Sequence, residues 1–213
     1  MSGARGRRPP HPPTLFPTRG EGETGEGRPR GPGTEAPGSA PVVAVLMGSD
    51  SDLPVMRGAC DVLASFGVPF EVHVMSAHRS PDRVAMFVED APERGVRVFV
   101  CGAGMAAHLA GVVAAHTALP VIGVPLASGN LGGTDALYAT VQMPPGVPVA
   151  TVAIGGAKNA GHLAVRILAL SDAALADRLE TFRRSMDDET AARDARLADL
   201  GVDGYLESQG RRP

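Results

Sequence analysis

The chain has 213 residues, 44% of them hydrophobic and 4% aromatic, and a formal net charge of −3. This length suits one domain with a large aliphatic core, and the small charge with few aromatic side chains argues against a nucleic-acid partner. No apolar stretch approaches the ~20 residues that span a bilayer, so no membrane partner is expected. Cys60 and Cys101 each lie in an apolar run, which favours reduced core thiols and a cytoplasmic location.

Residues 1–40 are dominated by Gly, Pro, Arg and Glu. Such a segment cannot bury enough apolar surface to offset the entropy lost on ordering, so it is predicted to be a disordered extension. A transit peptide is disfavoured because these are poor in acidic residues, whereas this segment carries four Glu.

From Pro41 onward, short apolar runs alternate with helical patterns. The runs are nearly continuous in apolar character, which is typical of strands covered by helices on both faces. The pattern predicts a three-layer α/β/α sandwich with a doubly wound parallel sheet, a single domain over residues 41–171. The predicted strands are 42–47, 70–75, 96–101, 121–124 and 149–154, and the predicted helices are 53–66, 81–94, 106–115, 134–142 and 159–170.

In such sheets ligands bind at the carboxyl ends of the strands, so the loops there are the candidate site. The loop at residues 47–52, Met-Gly-Ser-Asp-Ser-Asp, joins the first strand to a helix start and is suited to an anion. Ser49 and Ser51 add hydroxyl donors for a phosphate, and Asp52 is suited to accept hydrogen bonds from ribose hydroxyls. An ordinary capped helix start is the alternative interpretation.

The next two loops add charged and flexible residues. Arg79 is placed to neutralise a phosphate, and His78 beside it is a candidate for proton transfer near neutral pH. Ser80 followed by Pro81 predicts a helix N-cap. Residues 102–104, Gly-Ala-Gly, predict a tight turn whose N–H groups face a carboxylate or CO2, and His108 follows one helical turn later.

Two further observations limit the chemistry. The six His have no metal-ligand spacing, so no metal is predicted. Lys158, the only lysine, is predicted to be solvated rather than a Schiff-base residue.

Residues 172–213 are predicted as a charged C-terminal helix, to about residue 200, and a tail. Its apolar positions Leu175, Leu179, Phe182 and Met186 pack either on their own domain or on a neighbouring subunit.

With these loops assembled, the chain resembles class I of the PurE family of purine biosynthesis over about residues 42–186. The resemblance rests on separated motifs in the right order: Met-Gly-Ser-x-Ser-Asp at 47–52, Ser-Ala-His-Arg-x-Pro at 76–81, Gly-Ala-Gly-x-Ala-Ala-His-Leu at 102–109, Leu-Pro-Val-Ile-Gly-Val-Pro at 119–125, Val-Gln-Met-Pro-x-Gly-Val-Pro-Val at 141–149 and Ala-Ile-Gly at 153–155. It implies a flavodoxin-like fold and an octamer in which C-terminal helices contact other subunits.

The resemblance also implies an activity. These enzymes are mutases that convert N5-carboxyaminoimidazole ribonucleotide to 4-carboxy-5-aminoimidazole ribonucleotide, through trapped CO2 and without ATP, biotin or metal. It assigns proton transfer to His78 and nucleotide binding to Ser49, Asp52 and Arg79. The full predicted substrate-binding set adds to these three Ser51, Ser76, Ala77, Gly102, Ala103, Gly104, Met105, His108 and Leu109.

Three departures from the family pattern and three rival functions accompany this interpretation. Met105 stands where many members have a third glycine, Ala110 replaces a frequent proline, and the stretch after Ile154 is short. The rivals are a carboxylase of aminoimidazole ribonucleotide that takes free CO2, a LarB-like carboxylase of a pyridine mononucleotide, and a flavodoxin-like nucleotide sensor. Class I is favoured by the glycine loop, LarB proteins carry a folded N-terminal domain that residues 1–40 cannot form, and a sensor leaves His78 unexplained.

Overall fold

The computed structural model describes residues 40–210, and the prediction for residues 1–40 therefore lies outside the described part except at Ala40. Five parallel strands form one sheet in the order β2-β1-β3-β4-β5. The strands are β1 Val43–Met47, β2 Phe70–Val74, β3 Val98–Gly104, β4 Val121–Leu126 and β5 Ala150–Thr151. The helices of the described residues are α1 Leu53–Ser65, α2 Pro81–Asp90, α3 Leu109–His116, α4 Thr134–Val141, α5 Ala157–Ala169 and α6 Ala173–Ser208.

Successive residues of the central strands supply two separate cores. Val43, Val45 and Met47 of β1 pack with α1 and α5 on one face of the sheet, whereas Ala44 and Leu46 pack with α2 and α3 on the other. Because side chains alternate across a strand, a strand buried on both faces must be apolar at every position. The predicted three-layer sandwich is confirmed.

The strand order places a crevice between β1 and β3. From β1 the chain runs outward to β2, then returns across β1 to β3 and continues in the opposite direction to β4 and β5. The helices that follow the two strands consequently lie on opposite faces, which leaves a gap at the carboxyl ends of β1 and β3. This is the flavodoxin-type order, and it sets the position of the candidate site.

The predicted turn at residues 102–104 is wrong. These residues continue β3, with Gly102 opposite Val124 and Gly104 opposite Leu126 of β4. At Gly102 a neighbouring side chain occupies the space that a Cβ would take, since a Cβ there would overlap Met56 Sδ. The glycines therefore permit close packing within the sheet, and the chain first turns at Met105, whose φ is +53°.

That turn also changes the start of the next helix. α3 begins at Leu109 rather than at residue 106, so His108 occupies the N-cap position instead of lying inside the helix. The prediction of Ser80 as the N-cap with Pro81 opening α2 is confirmed in position, but the Ser80 hydroxyl makes no cap hydrogen bond and instead donates to the carbonyl of Ser76 at 3.1 Å. β5 is shorter than predicted, because Pro148 offers no N–H before it and the chain turns at Gly155, with φ of +70°.

The C-terminal helix α6 packs on its own domain over its first three turns. Leu175 is 2% exposed, and Leu179 and Phe182 are partly buried against the core of the α1 and α5 face. The ring of Phe182 stacks on His162 of α5, with centroids 4.8 Å apart. Met186, by contrast, is 43% exposed. Helical geometry is interrupted at Gly201, and no helix among residues 40–210 is long and apolar enough to cross a membrane.

Candidate active site

A pocket of about 530 Å³ opens at the carboxyl ends of β1, β2 and β3. Twelve of the thirteen predicted site residues line it, and Gly102 does not. A second groove, about 650 Å³, lies between α5 and α6 and contains none of the strand-end loops. The smaller pocket is the chemically relevant one because it is lined by the loops at the ends of the strands. Its lining residues are Gly48, Ser49, Ser51, Asp52, Ser76, Ala77, His78, Arg79, Ala103, Gly104, Met105, Ala106, His108, Leu109 and Ser128.

The loop after β1 is held by a reciprocal cap. The backbone N–H of Ser49 donates to Oδ2 of Asp52 at 3.0 Å, and the Ser49 hydroxyl oxygen accepts from the N–H of Ser51 at 3.4 Å. Burial raises the pKa of the Asp52 carboxyl, an effect that the Ser49 N–H partly offsets and that the nearby charge of Asp50 reinforces. The loop is therefore held by hydrogen bonds between its own residues.

The guanidinium of Arg79 extends to this loop from the loop after β2. Its Nη2 donates to the carbonyl oxygen of Gly48 at 2.9 Å, and the backbone N–H of Arg79 donates to the hydroxyl of Ser76 at 3.2 Å. Arg79, Ser49 and Ser51 all line the pocket, so a cation and two hydroxyls face the same space. Cationic fork and hydroxyl donors together suit a phosphate, since charge-assisted hydrogen bonds are the stronger class.

His78 and His108 face each other across the pocket. Nε2 of His78 lies 2.7 Å from Nδ1 of His108, and the rings are nearly perpendicular with centroids 4.8 Å apart. At this distance one nitrogen donates a hydrogen and the other accepts it, so the two tautomers are coupled. The sequence places these residues thirty positions apart, and only the β1–β3 crevice brings them together.

The far wall of the pocket contains two features that sequence reasoning did not resolve. Ser128, from the loop after β4, packs against Gly104 so closely that a Cβ there would overlap its Oγ. The residue was missed because only its place after a predicted strand marked it. Met105 is the one non-glycine residue with positive φ among residues 40–210, a left-handed conformation that costs about 1–2 kcal/mol for an L-residue.

Other candidate groups have no part in this pocket. No group of three or more His, Cys, Asp or Glu side chains in the described part of the chain is arranged to hold a metal ion. Cys101 is buried, and burial raises the pKa of its thiol far above the usual range, so it is not a thiolate nucleophile. Lys158 is exposed at the first turn of α5, as predicted.

Comparison with known proteins identifies the family. The model of the AIR carboxylase family, AIRC, matches residues 42–189, which include every strand and loop of the pocket. The chain belongs to the AIR carboxylase family. It is 50% identical over 172 residues to the N5-carboxyaminoimidazole ribonucleotide mutase of Synechocystis sp., an alignment that covers 81% of this chain and 98% of that protein. The predicted resemblance to PurE is thereby confirmed.

Other members of the AIR carboxylase family differ in length or in sequence. The phosphoribosylaminoimidazole carboxylase of Saccharomyces cerevisiae is 50% identical over 79% of this chain, which spans only 30% of that longer protein. The crystal structure of Treponema denticola PurE superposes with a TM-score of 0.68 at 28% identity and covers 74% of this chain and 98% of that one. The shared fold therefore extends over almost the whole of a solved PurE chain.

Proposed function

We propose that this protein is an isomerase of purine biosynthesis, a mutase that converts N5-carboxyaminoimidazole ribonucleotide to 4-carboxy-5-aminoimidazole ribonucleotide. The observation that carries the proposal is the juxtaposition of a phosphate-type subsite, formed by Ser49, Ser51 and Arg79, with the imidazole of His78 in one pocket. The close relatives with mutase names support it, because the chain spans 98% of the Synechocystis protein. The rival functions, carboxylases that use free CO2 among them, are not favoured.

The reaction needs one proton delivered and one removed. His78 as acid gives a proton to the exocyclic nitrogen of the carbamate, the N–C bond breaks, and CO2 and aminoimidazole ribonucleotide form. Ring carbon C4 then attacks CO2 to form the new C–C bond, and His78 as base removes the C4 proton. His78 ends in its starting protonation state, so the isomerisation needs no external acid, base or oxidant.

His108 is the positioning partner in this scheme. Its Nδ1 is 2.7 Å from Nε2 of His78, which fixes the ring and supplies a hydrogen-bond partner to whichever tautomer is present. A ring held in one orientation delivers its proton along one direction, which favours transfer to a single substrate atom. Both side chains are exposed in the single chain, so a bound nucleotide has direct access to the pair.

Assembly and location extend the proposal. We expect an octamer in which α6 contacts other subunits, supported by the exposed apolar side chains Met186, Leu197 and Leu200 along that helix. We place the enzyme in the cytoplasm, a compartment that keeps a buried thiol such as that of Cys101 reduced. Sedimentation of the full chain reports the mass, and a monomer at micromolar concentration would contradict the octamer.

The decisive experiment separates the mutase from a carboxylase that uses free CO2. The full chain is given the carbamate nucleotide in bicarbonate-depleted buffer without ATP or added metal, and in a parallel reaction aminoimidazole ribonucleotide with bicarbonate. Formation of the C4-carboxylated product in the first reaction, at a rate that bicarbonate does not increase, is the expected result. Product formed only in the second reaction would overturn the mutase proposal.

Replacement of His78 tests its role. His78→Asn should lower kcat by about 10²–10⁴, the usual contribution of a positioned acid–base group, with little change in nucleotide affinity. His108→Asn should lower kcat by a smaller factor, because His78 keeps its chemistry and loses only its orientation. Binding of aminoimidazole ribonucleotide by calorimetry is the control for both variants. Equal and large losses of binding and turnover in His78→Asn would remove that residue from proton transfer.

A further inference from the structure

Met105 keeps an unfavourable backbone conformation at the edge of the pocket. Its φ of +53° lies in the left-handed region that glycine occupies at no steric cost, and every other positive-φ residue among residues 40–210 is glycine. Strain that persists at a pocket indicates a function for the side chain, since glycine would remove the strain. The physical question is therefore what the thioether does there.

The Met105 side chain bridges two loops. It starts from the end of β3 and extends to the loop after β4, where its Cγ lies 3.5 Å and its Sδ 4.0 Å from the position that a Cβ on Gly129 would occupy. Gly129 follows Ser128, which lines the same pocket. The Met105 side chain is 59% exposed, so its outer surface faces solvent while the residue also lines the pocket.

An apolar cover in this place matches one step of the proposed reaction. Between breakage of the N–C bond and formation of the C–C bond the pocket contains free CO2, a small molecule without net charge that diffuses rapidly into water. Two outcomes then compete: attack by C4 and escape. A flexible, polarisable thioether fills an irregular gap better than a branched side chain does, and covering the gap lowers the rate of escape without touching the proton-transfer groups.

We infer that Met105, packed across Gly129, is a specificity-determining residue that retains CO2 in the pocket and so decides how much of the carbamate becomes product rather than free amine. The inference rests on the mutase function proposed above. On this inference, the unfavourable backbone conformation of Met105 is retained because its side chain keeps CO2 in the pocket. His78 and the phosphate subsite have no part in retaining CO2.

The test measures partition rather than rate. The carbamate nucleotide is converted in a buffer that contains ¹³C-bicarbonate, and two quantities are measured. The first is the fraction of the consumed carbamate that appears as aminoimidazole ribonucleotide, and the second is the ¹³C content of the carboxylated product. The spontaneous loss of CO2 measured without enzyme is subtracted. Met105→Gly should raise both quantities by about threefold to tenfold, the order of change expected when one apolar contact is lost from a barrier to escape. Met105→Leu, which retains the apolar volume but is branched, should raise both quantities by less than Met105→Gly does.

Two controls keep the inference falsifiable. Leu131→Ala changes an exposed apolar side chain of the same β4 loop that does not line the pocket, so it should leave the partition unchanged. The melting temperature of Met105→Gly checks that the variant is folded. A wild-type partition in Met105→Gly, or a leak in Leu131→Ala equal to that in Met105→Gly, would overturn the inference. Failure of the wild type to convert the carbamate at all would instead refute the proposed function.

Discussion

Gly104 offers the sharpest test of how the pocket wall is built. Replacing it with Ala adds a Cβ that would overlap Ser128 Oγ and lie 2.9 Å from Ser128 Cβ and 3.3 Å from the carbonyl oxygen of Leu126. Gly104 has no positive φ, so Ala adopts its backbone conformation without strain. Ser128 can rotate its hydroxyl away, but its Cβ and the Leu126 carbonyl belong to the backbone framework and must move.

The expected magnitude follows from these contacts. Overpacking of a close-packed site costs about 1–3 kcal/mol, and the lower entropy of an unfolded chain with Ala in place of Gly offsets about 0.4–1 kcal/mol. The middle of both ranges gives a net loss of about 1.3 kcal/mol, which lowers the melting temperature by about 3–5 °C, at roughly 2–4 °C per kcal/mol for a domain of this size. Nucleotide affinity should also fall, because the displaced Ser128 lines the pocket.

Thermal unfolding of a small set of variants isolates this contact. Ser128→Gly removes the two nearest conflicting atoms and leaves only the Leu126 carbonyl oxygen, at 3.3 Å. Gly104→Ala combined with Ser128→Gly should therefore melt within about 2 °C of Ser128→Gly alone, a non-additive result that marks a direct contact. Ser128→Ala should rescue only in part, because its Cβ remains. Gly58→Ala is the matched control: in α1 the added Cβ comes no nearer than 3.1 Å, to the flexible Lys158 side chain, and should be neutral or stabilising. Wild-type stability in Gly104→Ala would refute the reasoning.

Two further predictions concern the nucleotide subsite. Arg79→Ala should weaken binding of aminoimidazole ribonucleotide by about 10- to 150-fold, the equivalent of 1.5–3 kcal/mol for a charge-assisted hydrogen bond, while calorimetry with the nucleoside should show little change; an equal loss for both ligands would mean that Arg79 does not contact the phosphate. Because burial raises the pKa of Asp52, the folded state binds its proton more readily than the unfolded state, so this carboxyl lowers apoprotein stability as pH rises through that pKa. Asp52→Asn, which can still accept the Ser49 N–H, should therefore stabilise the apoprotein at pH 7 and not at pH 3 in thermal unfolding, and a gain of the same size at both values would contradict the shift.

Much of the site could be located from the loops alone. Ser49 follows a run that is apolar at every position, and His78 and Arg79 follow the strand pattern at residues 70–75, which is interrupted only by Glu71 and His73. Any strand order in a parallel sheet puts those loops at one edge. Which residues of these loops contact each other could not be derived in the same way. His78 follows β2 and lies 2.7 Å from His108 because β2 and β3 both pair with β1 and α3 begins at Leu109. Neither fact is local to the two residues.

The sequence by itself determined the number and type of elements, because strand and helix periodicity depend on residues a few positions apart and burial on both faces of the sheet requires continuous apolar runs. Only the tertiary structure shows why particular residues are required at particular positions. Gly102 and Gly104 read equally well as a turn, and their place in β3 depends on Met56 and Ser128, which approach from α1 and the β4 loop. Likewise the apolar stripe of α6 fits its own domain or a neighbour, until Leu175 and Phe182 are packed against α5. Periodicity indicates that one face of an element is buried. Which residues cover that face depends on contacts between distant parts of the chain, and these form only in the folded structure.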